Sequence, residues 1–417
     1  MKNLAFIFLI SPLLINAQGL NWSTSEEVES SLIAIPTDYG YVKSTLPSNH
    51  NMLQYAPPVE YQSGGTCVGF AAGYTAHSTM LNKALGITNP FQKEILAMDP
   101  YFIYSLNNGV TLDPCEEGLT FTEFFNALEK MGNMRDLYPP ETDCGFDWVD
   151  FKGDLKDELI ETLTAAFPFR IDDYGRIDLE NPDWLENSKY YLANDIPIII
   201  GAYIDDDFEK LSSDKYGVWN YRGDVSTTLG GHAMCILGYD DYKYGGSFLV
   251  RNSWGYSFGV EGNLWIKYSD FRKIVGEAWV ILPDESLENY YTTAEYSFNI
   301  KSTLFDGLEY RLDKADNGDI YEGFYSRGNQ VWAFHIMSDG SIYFGQFIDY
   351  VKHGVGFYCA SNGDLYETKF YDGELVSGEE LGYSSNESKL VREFLNTVEV
   401  TGESQLFEGD VPAFPIE

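Results

Sequence analysis

Cys67 stands in the run Gln62-Ser-Gly-Gly-Thr-Cys67-Val-Gly-Phe-Ala-Ala-Gly-Tyr, where a glycine turn gives way to a stretch of helical character. A helix start carries about half a positive charge and free N–H groups. A thiolate placed there is stabilised, and its pKa can fall from about 8.5 to below neutrality. Two further runs follow: Gly230-Gly-His232-Ala-Met and Val250-Arg-Asn252-Ser-Trp254-Gly255. A thiol, an imidazole and a side-chain amide supply a nucleophile, a base and a group that orients the base. Such a set suits attack on an amide. The Cys67 thiolate would add to the carbonyl, and His232 would give its proton to the leaving nitrogen. Asn252 would hold one ring nitrogen. The side-chain NH2 of Gln62 and the backbone N–H of Cys67 would receive the oxyanion, where losing one donor typically costs about 3 kcal/mol of barrier. In this reading the resting pair is thiolate and imidazolium.

These residues need elements to hold them. Pro57-Pro58 keeps the approach extended. Thr66 is the expected N-cap of a helix starting near Cys67, with Phe70, Ala71, Tyr74, Met80 and Leu81 at helical spacing and Gly86 as its end. Residues 119–131 read as an amphipathic helix closed by Gly132. Beyond about residue 195 the period shortens. Ile196–Tyr203, Ala233–Tyr239, Ser247–Arg251, Asn263–Tyr268 and Glu277–Leu282 read as strands. The nucleophile therefore belongs to a helical half, His232 and Asn252 to a β half, and the site to a cleft between them.

Near residue 290 the pattern changes again. Gly318-Asp-Ile-Tyr321-Glu-Gly323-Phe, Gly340-Ser-Ile-Tyr343-Phe-Gly345-Gln-Phe and Gly363-Asp-Leu-Tyr366-Glu-Thr-Lys-Phe370 recur at offsets of 22 and 23 residues. A fixed period of this size indicates a repeat array. Each unit reads as one hairpin, and lone hairpins are marginal in water, so the units should stack. Tyr321, Tyr343 and Tyr366 are expected to pack between hairpins. The module is expected to be separable, so that removing 295–417 spares the chemistry.

Composition bounds the partners. The chain has 417 residues, 44% hydrophobic and 16% aromatic, enough for real cores. With 27 basic against 64 acidic residues its formal charge is −37, which repels phosphate backbones and anionic headgroups. Nucleic acid is excluded as a partner. Met1-Lys2-Asn3, the apolar run Leu4–Ile15 and Ala17 read as a signal segment over 1–17, too short for a membrane span of about 20 residues. A secreted or periplasmic location follows as an expectation, with no stable membrane span. Residues 18–50 read as a polar leader along the surface. In an oxidising compartment Cys115 and Cys144, both in loop-like surroundings, could form a disulfide, although sequence alone does not fix connectivity. Cys235 reads as a buried free thiol in a strand, and Cys359 has no evident partner. His50, His77, His335 and His353 read as surface or packing residues. Histidines and cysteines are too scattered for a metal site, and no cofactor is required.

The motifs together resemble those of papain-family cysteine peptidases. The likeness spans about residues 51–285 and rests on Gln62-Ser-Gly-Gly-Thr-Cys67, Gly231-His232-Ala233 with Gly238-Tyr239-Asp240, Asn252-Ser-Trp254-Gly255 and Gly259-Val-Glu-Gly262. It implies that Gln62 lines the oxyanion hole, Cys67 attacks, His232 is acid and base, Asn252 orients it, and Trp254 shields the His–Asn bond. It also implies that Cys115 and Cys144 are a disulfide pair. Three features depart from that family's pattern: Gln62 precedes Cys67 by five residues instead of six, Val68 replaces a tryptophan, and a cysteine just before the nucleophile is missing. The repeats resemble MORN repeats, which implies a role in binding or assembly and a protein partner. The expected fold class is α+β: a papain-like two-lobed peptidase, helical lobe plus β lobe, then a small all-β hairpin-repeat module. The expected organisation is signal 1–17, leader 18–50, peptidase 51–285, repeats 295–380 and tail 381–417. The expected activity is hydrolysis of peptide or protein substrates through a Cys67 thioester. The alternatives are an acyl transferase or amidase on the same fold, or a non-catalytic secreted binding protein.

Overall fold

The helical lobe begins where the sequence places it, but its first helix is not a regular one. The computed structural model describes residues 19–35, 46–108, 115–136, 143–146, 166, 169–213, 215–221, 228–282, 295–299, 308–326, 329–348, 350–362 and 364–381. The expected signal segment and all of the tail beyond residue 381 lie outside them. A short helix α1 (Ser25–Ser30) and a short strand β1 (Asn49–Asn51) precede Cys67. Helix α2 then runs through π-helical turns (Gly69–His77) into α-helical ones (Ser78–Leu85) and ends at Gly86 with φ 69°. Thr66 does not cap it with its side chain; the hydroxyl donates upstream to the Ser63 carbonyl at 2.7 Å. Helices α3 (Pro90–Ile95), α4 (Phe102–Asn108) and α5 (Phe121–Met131) complete the lobe. Thr120 and Glu123 form a reciprocal capping box on α5, and Gly132 closes it.

The β lobe is a seven-stranded antiparallel sheet. Its strands are β2 (Tyr174–Arg176), β3 (Ile198–Asp205), β4 (Thr228–Asp240), β5 (Ser247–Arg251), β6 (Asn263–Lys267) and β7 (Val275–Ile281), ordered β2-β7-β3-β4-β5-β6, with β1 on β4. Helices α6 (Trp184–Ala193) and α7 (Tyr268–Ile274) pack on it. Successive residues of a strand point to opposite faces. Ile199, Ala233, Cys235 and Trp279 accordingly join Cys67, Val68, Phe121 and Phe125 in a core between the lobes. Ile198, Ile200, Met234 and Ile236 join Trp219, Trp254 and Phe258 in a second core on the far side.

The repeats form a second sheet, an eight-stranded antiparallel meander from β8 to β15: Glu295–Asn299, Leu308–Lys314, Ile320–Ser326, Asn329–Ile336, Ile342–Ile348, Val351–Cys359, Leu365–Tyr371 and Glu374–Leu381. Tyr343 is fully buried, whereas Tyr321 and Tyr366 are half-buried. A Cβ on either Gly345 or Gly356, which face each other across β12 and β13, would lie 2.5 Å from the Tyr343 hydroxyl. The motif glycine is therefore the space the motif tyrosine occupies.

This sheet is not a detached module. Phe334, Ile336, Ile342, Phe344 and Cys359 share a core with Ile87, Ile95 and Leu96 of the helical lobe. Between the two parts lies a two-pronged ion pair: Arg135 Nε to Glu322 Oε1 at 3.1 Å and Nη2 to Oε2 at 3.0 Å, with the side chains 1% and 0% exposed. Removing one member would strand a buried charge, which typically costs about 3–5 kcal/mol. The expected separability of 295–417 fails on this point. Among the described residues, no helix is long and apolar enough to cross a membrane.

Candidate active site

The three lobes of sequence that carry chemistry meet at the inter-lobe core. Cys67 opens the helical turn that runs directly into α2, His232 lies in β4, and Asn252 follows β5. His232 Nε2 and Asn252 Oδ1 are 2.7 Å apart, both side chains buried. An amide oxygen only accepts, so Nε2 carries the hydrogen, and in the neutral ring Nδ1 presents its lone pair. Nδ1 has no hydrogen-bond partner among the described residues. The next residue, Ala233, donates its backbone N–H to Cys67 Sγ at 3.3 Å. The thiol thus sits one peptide unit from the imidazole.

Gln62 is held by both ends of the cleft. Its Nε2 donates to the Gly64 carbonyl at 2.8 Å, and its Oε1 accepts from Ser253 Oγ at 2.6 Å. Its backbone N–H donates to the Ser253 carbonyl at 2.8 Å. The amide is therefore fixed between the turn before Cys67 and the residue after Asn252. Trp254 packs beside the imidazole, with ring centroids 5.1 Å apart. Phe208, which no motif singles out, closes the other side at 5.8 Å from His232 and 5.1 Å from Trp254. Only its place next to the strand run at 198–205 hints at this role.

The start of the leader leaves the surface, although apart from Ala34 residues 21–35 stay at least partly exposed. Gly19 and Leu20 are buried, and Leu20 belongs to the same core cluster as Cys67. The Gly19 backbone N–H points at Cys67 Sγ. A Cβ on Gly19 would lie 2.2 Å from the Gly65 carbonyl oxygen, so only glycine passes this close to the turn. Leu119 N donates to Gly19 O at 3.1 Å, Asn21 N to Leu119 O at 3.0 Å, and Leu20 N to Gly231 O at 3.4 Å. Trp22 stacks on Tyr203 with centroids 4.3 Å apart. Ser23 gives both its N–H and its hydroxyl to Glu277, each at 2.8 Å. Thr122 then ties α1 to the helical lobe through Glu27 at 2.9 Å, and Arg176 ties it to the β lobe through the Val28 carbonyl at 3.0 Å. Residues 19–35 therefore straddle both lobes, and the thiol and the imidazole are both fully buried.

Burial decides the protonation of the pair. Desolvation pushes the Cys67 thiol up to about 12, although N–H groups of Ala233, Gly19, Val68 and Cys67 itself pull the other way. Desolvation likewise lowers His232 to about 4, against the opposing bond to Asn252. In the covered chain burial pushes both groups towards their neutral forms, against the expected thiolate and imidazolium, because the charged forms have lost their water.

Cys115 and Cys144 form a disulfide, and Cys235 and Cys359 are free and buried. His77 is fully buried, His335 pairs with Asp319 at 2.8 Å, and His50 pairs with Asp195 at 2.7 Å.

Comparison with known proteins bears on this arrangement. Residues 168–277 match the family model described as papain family cysteine protease. The match contains His232 and Asn252; Gln62 and Cys67 lie before it. An uncharacterised peptidase C1-like protein of Acanthamoeba polyphaga mimivirus is 29% identical over 125 residues, 28% of this chain and 40% of that one. The chain thus spans less than half the length of that relative. Among solved structures, xylellain, a cysteine protease from Xylella fastidiosa, is 18% identical with a TM-score of 0.49, covering 64% of this chain and 96% of its own. Procathepsin B S9 from Trypanosoma congolense is 15% identical with a TM-score of 0.46, covering 64% and 87%. The segment that matches the papain family cysteine protease model is thus the one that holds His232 and Asn252, and the fold brings Cys67 to it from outside the match.

Proposed function

We propose that the protein is an exported cysteine peptidase made in a self-covered form. The observation that carries this reading is the buried His232–Asn252 bond with Nδ1 left as a lone pair one residue from the N–H that meets Cys67 Sγ. With the leader displaced, water re-enters and hydrates the charged forms, and the helix-start field together with the attraction between thiolate and imidazolium draws the proton from Sγ to Nδ1. The thiolate adds to the substrate carbonyl carbon. The oxyanion takes hydrogen bonds from the Cys67 N–H and from the Gln62 amide. Collapse expels the amine, which leaves with the proton held on His232, and a thioester remains on Cys67. His232 then takes a proton from water as it attacks the thioester, and returns it to sulfur as the acid product leaves. Every step uses side chains of this chain and water.

The Cys115–Cys144 disulfide suits an oxidising compartment, which supports export. The hairpin sheet, with one face against α3 and the segment after it, serves assembly of the peptidase itself, and its other face remains for a protein partner. The test is labelling of the chain carrying Leu20→Ala and Trp22→Ala, which loosen the cover, by a thiol-directed epoxide together with hydrolysis of a fluorogenic peptide. One equivalent of label on Cys67, with turnover lost in Cys67→Ala and in His232→Ala, is the expected result. A chain that labels on Cys67 yet releases no product from any peptide, with or without amine acceptors, would overturn it.

A further inference from the structure

Two cations lie buried at the seam of the lobes with no acid to meet them. Lys93, in α3 of the helical lobe, and Arg251, at the end of β5 in the β lobe, are each 8% exposed. Both reach one turn, residues 53–57, which carries the chain from β1 towards Cys67. Lys93 Nζ donates to the Gln54 carbonyl at 3.1 Å and lies 3.5 Å from the Leu53 carbonyl. Arg251 donates from Nη1 to the Pro57 carbonyl and from Nε to Asn263 Oδ1, each at 2.8 Å. Between them Asn82 Nδ2 takes the Tyr55 carbonyl at 3.0 Å. Every partner of the two cations is neutral.

Dipoles of this kind orient a charge without cancelling it. Among the described residues neither Lys93 nor Arg251 makes an ion pair. The other N–H groups of Arg251 have no partner among those residues. The chain has 64 acidic residues and does place one against a buried cation elsewhere, Glu322 on Arg135. Here two like charges have left water and face each other, which is unfavourable on both counts. Burial lowers Lys93 to about 8, and the charge of Arg251 adds to the effect. Burial also lowers Arg251 to about 10, although Tyr74, Cys235 and Glu261 act the other way. Of those three only Glu261 is a carboxylic acid, and it is exposed and hydrogen-bonded to the Tyr256 hydroxyl. A guanidinium keeps its proton in a protein, so the charge of Arg251 has to be met in place.

We propose that one small monovalent anion, chloride or an ion of its size, binds between the Lys93 ammonium and the Arg251 guanidinium. It takes the N–H groups that the turn leaves over and halves the buried charge. A doubly charged anion would shed its water at far higher cost, and both side chains are too covered to admit a large one. The ion ties α3 to β5 and braces the strand end that immediately precedes Asn252.

The test is thermal unfolding of the full chain at constant ionic strength, with sodium chloride exchanged stepwise for sodium gluconate, whose anion is too large to enter. The expected Tm rises with the logarithm of chloride concentration, by about 3 °C at roughly a hundred times the dissociation constant. Lys93→Met abolishes that dependence, and in gluconate it melts no lower than the unaltered chain, because a stranded charge is gone. Lys243→Met, which removes an exposed lysine, keeps the dependence. A second measurement needs no melting: the chlorine NMR line of the buffer ion broadens on the folded chain, and bromide reverses the excess width. Equal Tm in chloride and gluconate, or a chloride dependence that survives Lys93→Met, overturns the site. Where Lys93→Met fails to fold, the unaltered chain decides it, and an absence of excess line width that bromide can displace overturns the site equally.

Discussion

Trp22→Ala should unmask Cys67 without unfolding the chain. The Trp22 ring stacks on Tyr203 and fills the space left by Gly231 and Gly276. Truncating a fully buried tryptophan costs about 3–5 kcal/mol. Trp22 is half-buried in the cleft wall, so about 2 kcal/mol is the fitting loss. At about 1.4 kcal/mol per factor of ten, the uncovered population rises roughly 30-fold. When opening is fast compared with reaction, thiol modification tracks that population. The assay is alkylation by iodoacetamide at pH 7.5, followed cysteine by cysteine by peptide mass mapping. Cys235 and Cys359 are free and buried, the first in the same inter-lobe core as Cys67 and the second under the repeat sheet, so they report opening that goes beyond the cover. The expected result is acceleration at Cys67 of about 30-fold, with Cys235 and Cys359 changed far less. An unchanged rate at Cys67 would refute the covering role of Trp22. Equal acceleration at all three thiols would show that the leader does not open as a unit of its own.

Other expectations follow from the same contacts. His232 is held at about 4 against an ordinary 6.5, so the covered form is fully favoured above pH 6.5 and is lost as the pH falls towards 4. Cys67 acts in the opposite sense, since a thiol raised from 9.0 to about 12 keeps the cover below pH 9 and loses it as the pH rises beyond. Protection of the Leu20 and Asn21 amides in hydrogen exchange should therefore peak between these limits, and equal protection at pH 4.5 and pH 7.5 would contradict it. Ser253→Ala removes the donor that fixes Gln62 Oε1, and kcat/KM of the uncovered enzyme should fall about fivefold, the worth of one ordinary hydrogen bond. Asn252→Ala should lower kcat far more than it raises KM, because it frees the imidazole without touching the substrate. Arg135→Met should lower stability in urea by about 3–5 kcal/mol, with much of it recovered by adding Glu322→Leu; a neutral single variant would mean the pair is not a buried joint.

Much of the site was legible because each motif fixes its own backbone. Gly64-Gly65 before Cys67, Gly230-Gly231 before His232 and Asn252-Ser253-Trp254 all specify local turns and strand ends, and the order of lobes follows from the change in period. The alternating Tyr and Gly of the repeats likewise fixed the hairpins, down to the steric pairing of Tyr343 with Gly345. The rest depends on distant contact. Nothing periodic marks residues 19–23, yet Ser23 meets a partner 254 positions later. Arg135 and Glu322 lie in separate segments with no shared pattern, so the joint between lobe and repeats is invisible until both are folded. The charge state of Cys67 went astray for a related reason. A helix start favours the thiolate, but the sequence does not say how much water remains, and in the fold Cys67 is fully buried.

The place of Gly231 has a consequence for how the chain folds as it is made. Its carbonyl holds Leu20, and the residue after it is His232. The stretch that seals the cleft and the stretch that arms it are thus one piece of strand. Residues 19–23 are synthesised first but have nothing to grip until β4 arrives. At that moment the imidazole and the seal arrive together. The strand that completes the reactive pair is therefore also the one that offers the leader its docking edge.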